Sequence, residues 1–141
     1  MAGSIVSSIT KQPVKGLGIV RAKAAITVTA GGVASPTVIG SFFGRIVRVI
    51  YDADTLDTNS VVTVADADSG ASLLVLTHPG TSDLNFRPTS NITDNTGTAV
   101  TAATTAPDVN RDIFVAGKVS VGVTGGGTST SGAITLVIEQ P

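Results

Sequence analysis

Cysteine and tryptophan are absent from this chain, histidine and tyrosine occur once each, and charge of either sign is scarce. Without cysteine there can be no disulfide framework and no thiolate-held zinc. That absence leaves the compartment open, since proteins of either redox environment can lack the residue. Charged residues are 13% of the 141 positions, about half the ~25% usual for a soluble domain. Nine basic residues against ten acidic ones give a net charge of −1, which offers no footprint for a nucleic-acid backbone. No apolar run approaches the ~20 residues of a membrane-spanning helix, so neither nucleic acid nor membrane is an expected partner. The opening Met1-Ala-Gly-Ser-Ile-Val-Ser-Ser-Ile-Thr10 has no basic start and no continuous apolar stretch. No secretory signal is expected from it, and the cytoplasm of the producing cell is the expected place of synthesis.

What the chain does have is small aliphatic and hydroxyl side chains. Mean hydropathy is +0.39, carried by Ala, Val, Ile and Leu, while the polar share is mostly Thr and Ser. Val, Ile and Thr are stiff at the first side-chain torsion and suit a pleated surface. Low charge joined to surplus apolar surface is an odd profile for a free monomer, which relies on charge to stay solvated.

Period-two patterns place the strands. In Gly18–Ala30, Ala24, Ile26 and Val28 alternate with Thr27 and Thr29 before Gly31-Gly32 breaks the pattern. Thr37–Phe43 runs into Arg45–Tyr51, whose apolar residues fall on both faces, as in a central strand. Adjacent Phe42 and Phe43 face opposite ways in a strand, so one can enter the core while the other points outward, or a second sheet can shield both within one subunit. Strands are expected at Ser60–Ala65, Ser72–Thr77 and Asp83–Pro88, with turns at Asp52–Asn59 and Asp66–Gly70. Asn91–Asn110 is a long connection with a weak strand candidate at Ala99–Ala103. Near the end, Val119, Val121 and Val123 and then Ile134, Leu136 and Ile138 alternate with small or polar residues. The Gly-rich Gly125–Gly132 between them predicts an antiparallel hairpin. Residues 1–17 lack periodicity and read as an extended arm with a short strand at Ile5–Ile9. The expected fold is all-β: an antiparallel β-sandwich or jelly-roll-like barrel of about eight strands over residues 18–141, behind an extended N-terminal arm.

Chemistry-bearing patterns are thin. Nucleophilic catalysis needs a nucleophile, a base and an orienting group, and the only histidine, His78, sits before Pro79-Gly80 at a strand end. Of ten carboxylates, nine are Asp and one is Glu139. Most Asp residues flank turns: Asp52, Asp54 and Asp57 one loop, Asp66 and Asp68 the next, which fits Asx turns. Such a cluster could hold calcium, but Asp66-Ala-Asp-Ser-Gly70 lacks the further ligands and distal Glu of an EF-hand loop. Gly16-Leu-Gly18 and Gly117-Lys118 match neither a dinucleotide fingerprint nor a phosphate loop. No enzymatic activity, cofactor or metal is expected. A carbohydrate-binding β-sandwich is an alternative that the missing Trp argues against.

The C-terminal half resembles a known group. Asp94-Asn-Thr-Gly-Thr-Ala-Val100, Ile113-Phe-Val-Ala-Gly-Lys-Val-Ser-Val121 and the ending Gly125-Gly-Gly…Gly132-Ala-Ile-Thr-Leu-Val-Ile-Glu139 are similar to phrases of small bacteriophage virion structural proteins of the capsid decoration (cement) type. In that group a turn enters a Val-rich strand and a Gly-rich loop leads to a final strand. Leu84-Asn-Phe-Arg-Pro88 fits the same pattern, and the likeness spans residues 45–140. Phe114 stands where the group often has Pro. The resemblance implies a homo-oligomer, a trimer above others, bound to major capsid protein on the outside of the virion and made in the host bacterial cytoplasm. Other virion modules of tail, neck or fibre share this composition and remain open alternatives. The residues expected to meet the partner are Ile5, Val6, Ile9, Lys11 and Lys15 of the arm, with His78 and Pro79.

Overall fold

Alternation of buried and exposed residues is the force that shapes this chain, because each strand can bury only every second side chain. The computed structural model describes residues 3–14, 17–29, 31–77, 83–91 and 110–140. Among them are ten strands: β1 (Ser4–Val14), β2 (Leu17–Val28), β3 (Ala34–Asp52), β4 (Val61–Asp66), β5 (Ser72–Thr77), β6 (Leu84–Phe86), β7 (Thr89–Asn91), β8 (Asn110–Asp112), β9 (Phe114–Thr124) and β10 (Thr130–Gln140). No helix occurs among the described residues, and so none is long and apolar enough to cross a membrane.

Eight strands form one antiparallel sheet in the order β1-β2-β10-β3-β9-β4-β5, with β6 also paired to β3. β7 and β8 form a separate two-stranded ladder. β3 is the spine. Its residues Arg45–Asp52 pair with β10 along one edge, while Ala34–Arg45 pair with β9 on the other and Val49–Tyr51 with β6. Arg45 is held on both edges, opposite Glu139 and Phe114. The two segments separated at Gly44 in the sequence are thus one continuous strand of 19 residues. Glycine is what permits this. Gly44 has φ +154°, and a side chain there would run into the carbonyl oxygen of Glu139 on β10.

The core face follows the alternation. Val20, Ala22, Ala24, Ile26 and Val28 of β2 are fully buried, as are Val119 and Val121 of β9 and Ile134, Leu136 and Ile138 of β10. One continuous apolar cluster runs from Ile5 on β1 to Leu76 on β5, so the sheet curls about its own apolar face. β1, three strands removed from β3 in the sheet order, comes back against the first half of β3. There Gly3 N–H donates to the Val33 carbonyl at 2.9 Å, and the Ile9 side chain lies over Gly40.

Two expectations need correcting. The final two strands do not form a hairpin, since β9 and β10 lie on opposite edges of β3. The Gly-rich link between them is long enough to step across an inserted strand. It is anchored there through Asp57 N–H to Gly126 O at 3.1 Å and Thr130 hydroxyl to Gly126 O at 2.6 Å. Nor do residues 4–14 form a free arm. They pair with β2 in unbroken register from Ser4↔Thr27 to Val14↔Leu17, and Ile5 enters the core. Lys11 and Pro13 within this strand fit its place at the sheet edge, where charge and a missing N–H discourage further pairing. The strand candidate Ala99–Ala103 lies outside the described residues.

Candidate interaction surface

The expected contact residues do not form one surface. Ile5 is buried, Ile9 packs across Gly40, and Val6 faces outward from the other side of β1. Lys11 sits opposite Val20 in the β1–β2 ladder. Lys15, His78 and Pro79 lie outside the described residues.

The Asp loops spend their carboxylates on their own turns. Asp66 accepts the Asp68 N–H at 3.0 Å and the Ser69 hydroxyl at 2.9 Å, which holds its carboxyl below the usual range, the backbone bond from Asp68 contributing most. Asp52 likewise caps the Asp54 N–H at 3.1 Å and Asp57 the Asn59 N–H at 2.9 Å. Asp83 reaches the Ala53 N–H at 3.1 Å. The contacts of Asp52, Asp57 and Asp66 are Asx turns of the expected kind, whereas the Asp83 bond joins two distant loops. Among the described residues no group of three His, Cys, Asp or Glu side chains converges as a metal site would require.

One ion network ties the sheet to the small ladder. Arg45 on β3 bridges Glu139 on β10 at 3.1 Å and Asp112 on β8 at 3.1 Å. Asp112 also takes Arg87, which follows β6, at 2.8 Å. The Arg87 bonds, then Arg45, keep the Asp112 carboxyl below its ordinary value, and the Glu139 carboxylate raises the Arg45 guanidinium. This clamp was not legible in the sequence, because its four members are spread over 95 residues from Arg45 to Glu139.

Among the described residues, the feature with no internal partner is a sheet face. Register fixes which side chains share it, since directly opposed residues in an antiparallel pair point the same way. On β9, Phe114, Ala116, Lys118, Ser120, Gly122 and Thr124 alternate with the buried valines. Opposite them stand Phe43, Ser41 and Val38 of β3 and Ala65, Thr63 and Val61 of β4, followed by Val75 of β5. Of the seven large apolar side chains exposed among the described residues, five are on this face or its rim: Val33, Val38, Phe43, Val75 and Phe114. Phe43 is 56% exposed and Phe114 54%, and their rings meet edge to face at 5.2 Å. Phe42, one residue earlier, is buried, as expected of adjacent residues in a strand. A shallow groove lined by Val33, Pro36, Val61, Thr63 and Gly122 runs along the face. Among the described residues of these strands Lys118 is the charged side chain on the face short of the Arg45 clamp, and Asp66 shares a pocket with it at the rim beside Phe114 and Ala116.

Charge collects on the outward face of the other half. Arg21, Lys23 and Arg48 are exposed there, with Thr135 and Val137 of β10 between β2 and β3, and none makes an ion pair with a described residue. The sheet is therefore polarised, with free cations outside β2-β10-β3 and almost no charge outside β3-β9-β4-β5. The adjacency of Phe42 and Phe43 was the sequence signal for this surface, and it did not say which of the two faces outward.

No protein-family model, curated protein or solved structure matches the chain.

Proposed function

We propose that the chain is a structural protein of a bacteriophage particle, a capsid decoration (cement) protein that lies on the outside of the major capsid protein lattice and stabilises the head. Its sheet closes over the core as an antiparallel sandwich or jelly-roll-like barrel. It works as a small homo-oligomer, a trimer by the resemblance, and catalyses no reaction. The assignment to a phage rests on the phrases around Asp94–Val100, Ile113–Val121 and Gly125–Glu139. The assembling role is supported by one observation: the charge-poor face carrying Val38, Phe43, Val75 and Phe114, where Lys118 is exposed.

The physical argument is about solvation. Large apolar side chains gathered on one outer face, among hydroxyl groups rather than charges, favour a surface that something else covers. Aromatic residues, depleted from this chain generally, are paired in the open at one end of that patch, where an interface core would want them. Binding restricted to the assembled head adds to the stability of the shell by mass action, without any change in the chain itself.

The test is to add purified protein to heads that lack it and to measure copy number and resistance of the heads to heat. The wild type should bind at a stoichiometry approaching that of the major capsid protein. A variant carrying Phe43→Ser and Phe114→Ser should bind at least ten-fold more weakly. Undiminished binding of that variant would remove this face from the proposal. A copy number of a few per particle would move the protein to the neck, tail or fibre.

A further inference from the structure

Register gathers three cations on one patch of the outer side of β2, β10 and β3. Opposed residues of antiparallel strands point the same way. The two ladders therefore set Arg21, Val137 and Arg48 in one row and Lys23, Thr135 and Ile50 in the next. With strands about 4.7–4.9 Å apart and alternate residues about 6.8 Å along a strand, the three charges share an area roughly 10 Å across. All three side chains are exposed, and none has a hydrogen-bond or ion-pair partner among the described residues. The flanks add donors rather than carboxylates. Ser8 and Thr10 of β1 stand opposite Lys23 and Arg21, and Asn85 of β6 stands opposite Ile50. Of the carboxylates further along β3 and β10, Asp52 caps the Asp54 N–H at 3.1 Å and Glu139 bridges Arg45 at 3.1 Å.

Val137 shows how the two arginines are carried. It lies on the outer side, apart from the core cluster, yet is only 6% exposed. The side chains that flank it in its row are those of Arg21 and Arg48. Stems of this length cover apolar surface while the charged head stays in water. The patch is thus a buried valine between two guanidinium forks, with an ammonium group one row away. Planar forks of this kind take carboxylates in bidentate fashion.

We propose that this patch docks a carboxylate-bearing surface of another protein. Charge complementarity selects that occupant. A second copy laid face to face would set cation against cation, and the chain's own described carboxylates other than Asp68 already accept hydrogen bonds within it. A nucleic acid would ask for a longer basic track or an aromatic platform for its bases. The rows from Arg21 to Asp52 carry no aromatic side chain on this side, and the whole chain has a net charge of −1. Arginine around a covered apolar centre is instead the make-up of a protein interface. The patch is separate from the face bearing Phe43 and Phe114, and the proposal does not depend on which particle the chain belongs to.

A short poly-L-glutamate carrying a fluorescent label serves as the probe, with binding to the full chain read by anisotropy. The wild type should bind it at low ionic strength, and about ten-fold more weakly as salt rises from roughly 0.05 M to 0.5 M. Arg21→Gln with Arg48→Gln should weaken binding about ten-fold, about 1.4 kcal/mol, while the circular dichroism of the sheet and the urea midpoint stay unchanged. Arg111→Gln, which removes one positive charge from β8, should leave binding at the wild-type level. An oligothymidylate of equal length and phosphatidylserine vesicles should bind more weakly than the acidic peptide. No binding of poly-L-glutamate, binding untouched by the double substitution, or an equal loss in Arg111→Gln would overturn the proposal. Tighter binding of the oligonucleotide or of the vesicles would overturn it in favour of those partners.

Discussion

Gly44 is the joint at which β3 changes partners, and replacing it with alanine tests the architecture at its narrowest point. Here β9 and β10 converge on one residue pair, with Arg45 opposite Phe114 on one edge and Glu139 on the other. An alanine Cβ would collide with the Glu139 carbonyl oxygen and would stand 3.0 Å from its carbon and 3.1 Å from Ile138 Cγ2. The oxygen and carbon are backbone atoms of a paired strand and cannot rotate away. β10 must retreat, loosening the ladder beside Arg45 and the Arg45–Glu139 bridge above it. The φ of +154° adds conformational strain for any residue with a Cβ. Strain of this kind costs about 1–3 kcal/mol, and forcing atoms into a packed site about 1–3 kcal/mol more. The sum, ~2–5 kcal/mol, is a large part of the ~5–15 kcal/mol that holds a domain together.

Urea unfolding followed by circular dichroism measures this loss, and Gly70→Ala supplies the reference. Gly70 also has positive φ, +75°, but a Cβ there meets nothing within 4 Å. It should cost only the backbone term, about 1–2 kcal/mol. The difference between the two variants reports chiefly the collision with β10, together with any extra backbone strain at φ +154° over φ +75°. If Gly44→Ala costs no more than Gly70→Ala, β10 does not run where the register places it, and β3 is not one strand paired on both edges.

Other outcomes are expected. Tyr51 is fully buried and its hydroxyl has no hydrogen-bond partner among the described residues, so Tyr51→Phe should raise stability by about 1 kcal/mol in the same unfolding assay; a loss would reveal a partner for the hydroxyl. Asp112 has its pKa depressed by Arg87 and Arg45, so the stability it contributes is fully present above the unfolded carboxylate value near ~3.9 and is lost as pH falls through the lower folded value. Asp112→Asn should accordingly differ most from wild type in urea midpoint above about pH 5 and converge with it in acid; a constant difference across that range would rule out the linkage. Phe43→Ser with Phe114→Ser should cost no more than about 2 kcal/mol, the paired rings being half in solvent, so that any lost particle binding reads as lost contact.

Most strand positions were open to sequence reading because the period-two pattern is local. β5 was placed at its observed bounds, and the alternating faces of β2, β9 and β10 emerged as read. Partner choice was not legible, since nothing within Val119–Ile138 announces that β3 lies between β9 and β10. Gly44 fell between two strand segments in the sequence, whereas in place it is what lets one strand continue past β10. β1 looked like an arm because Ser7 lies between Ile5 and Ile9 on the core-facing side while Val6 points away, which erases the periodicity. The interaction surface was the least visible part. Its side chains come from four strands, and each strand shows only a valine, a threonine or a phenylalanine that any sheet could contain.

The distribution of so few charges explains the character of that surface better than their number does. Asp52, Asp57 and Asp66 cap turns, Arg45, Arg87, Asp112 and Glu139 clamp the small ladder, and Arg21, Lys23 and Arg48 lie outside β2 and β3. Little is then left for the other outer face, where Lys118 stands among Thr63, Thr124, Ser41 and Ser120. Hydroxyl groups suit a surface with two lives. They hydrogen-bond water before assembly, and once covered they turn to backbone or partner groups at far lower desolvation cost than a charge. An obligate interface resembles a domain core cut in half, whereas this face alternates valine and phenylalanine with threonine and serine. That composition is the one the proposed role asks for: a face that hydroxyl groups hydrate while the chain is alone and that loses its water at low cost on assembly.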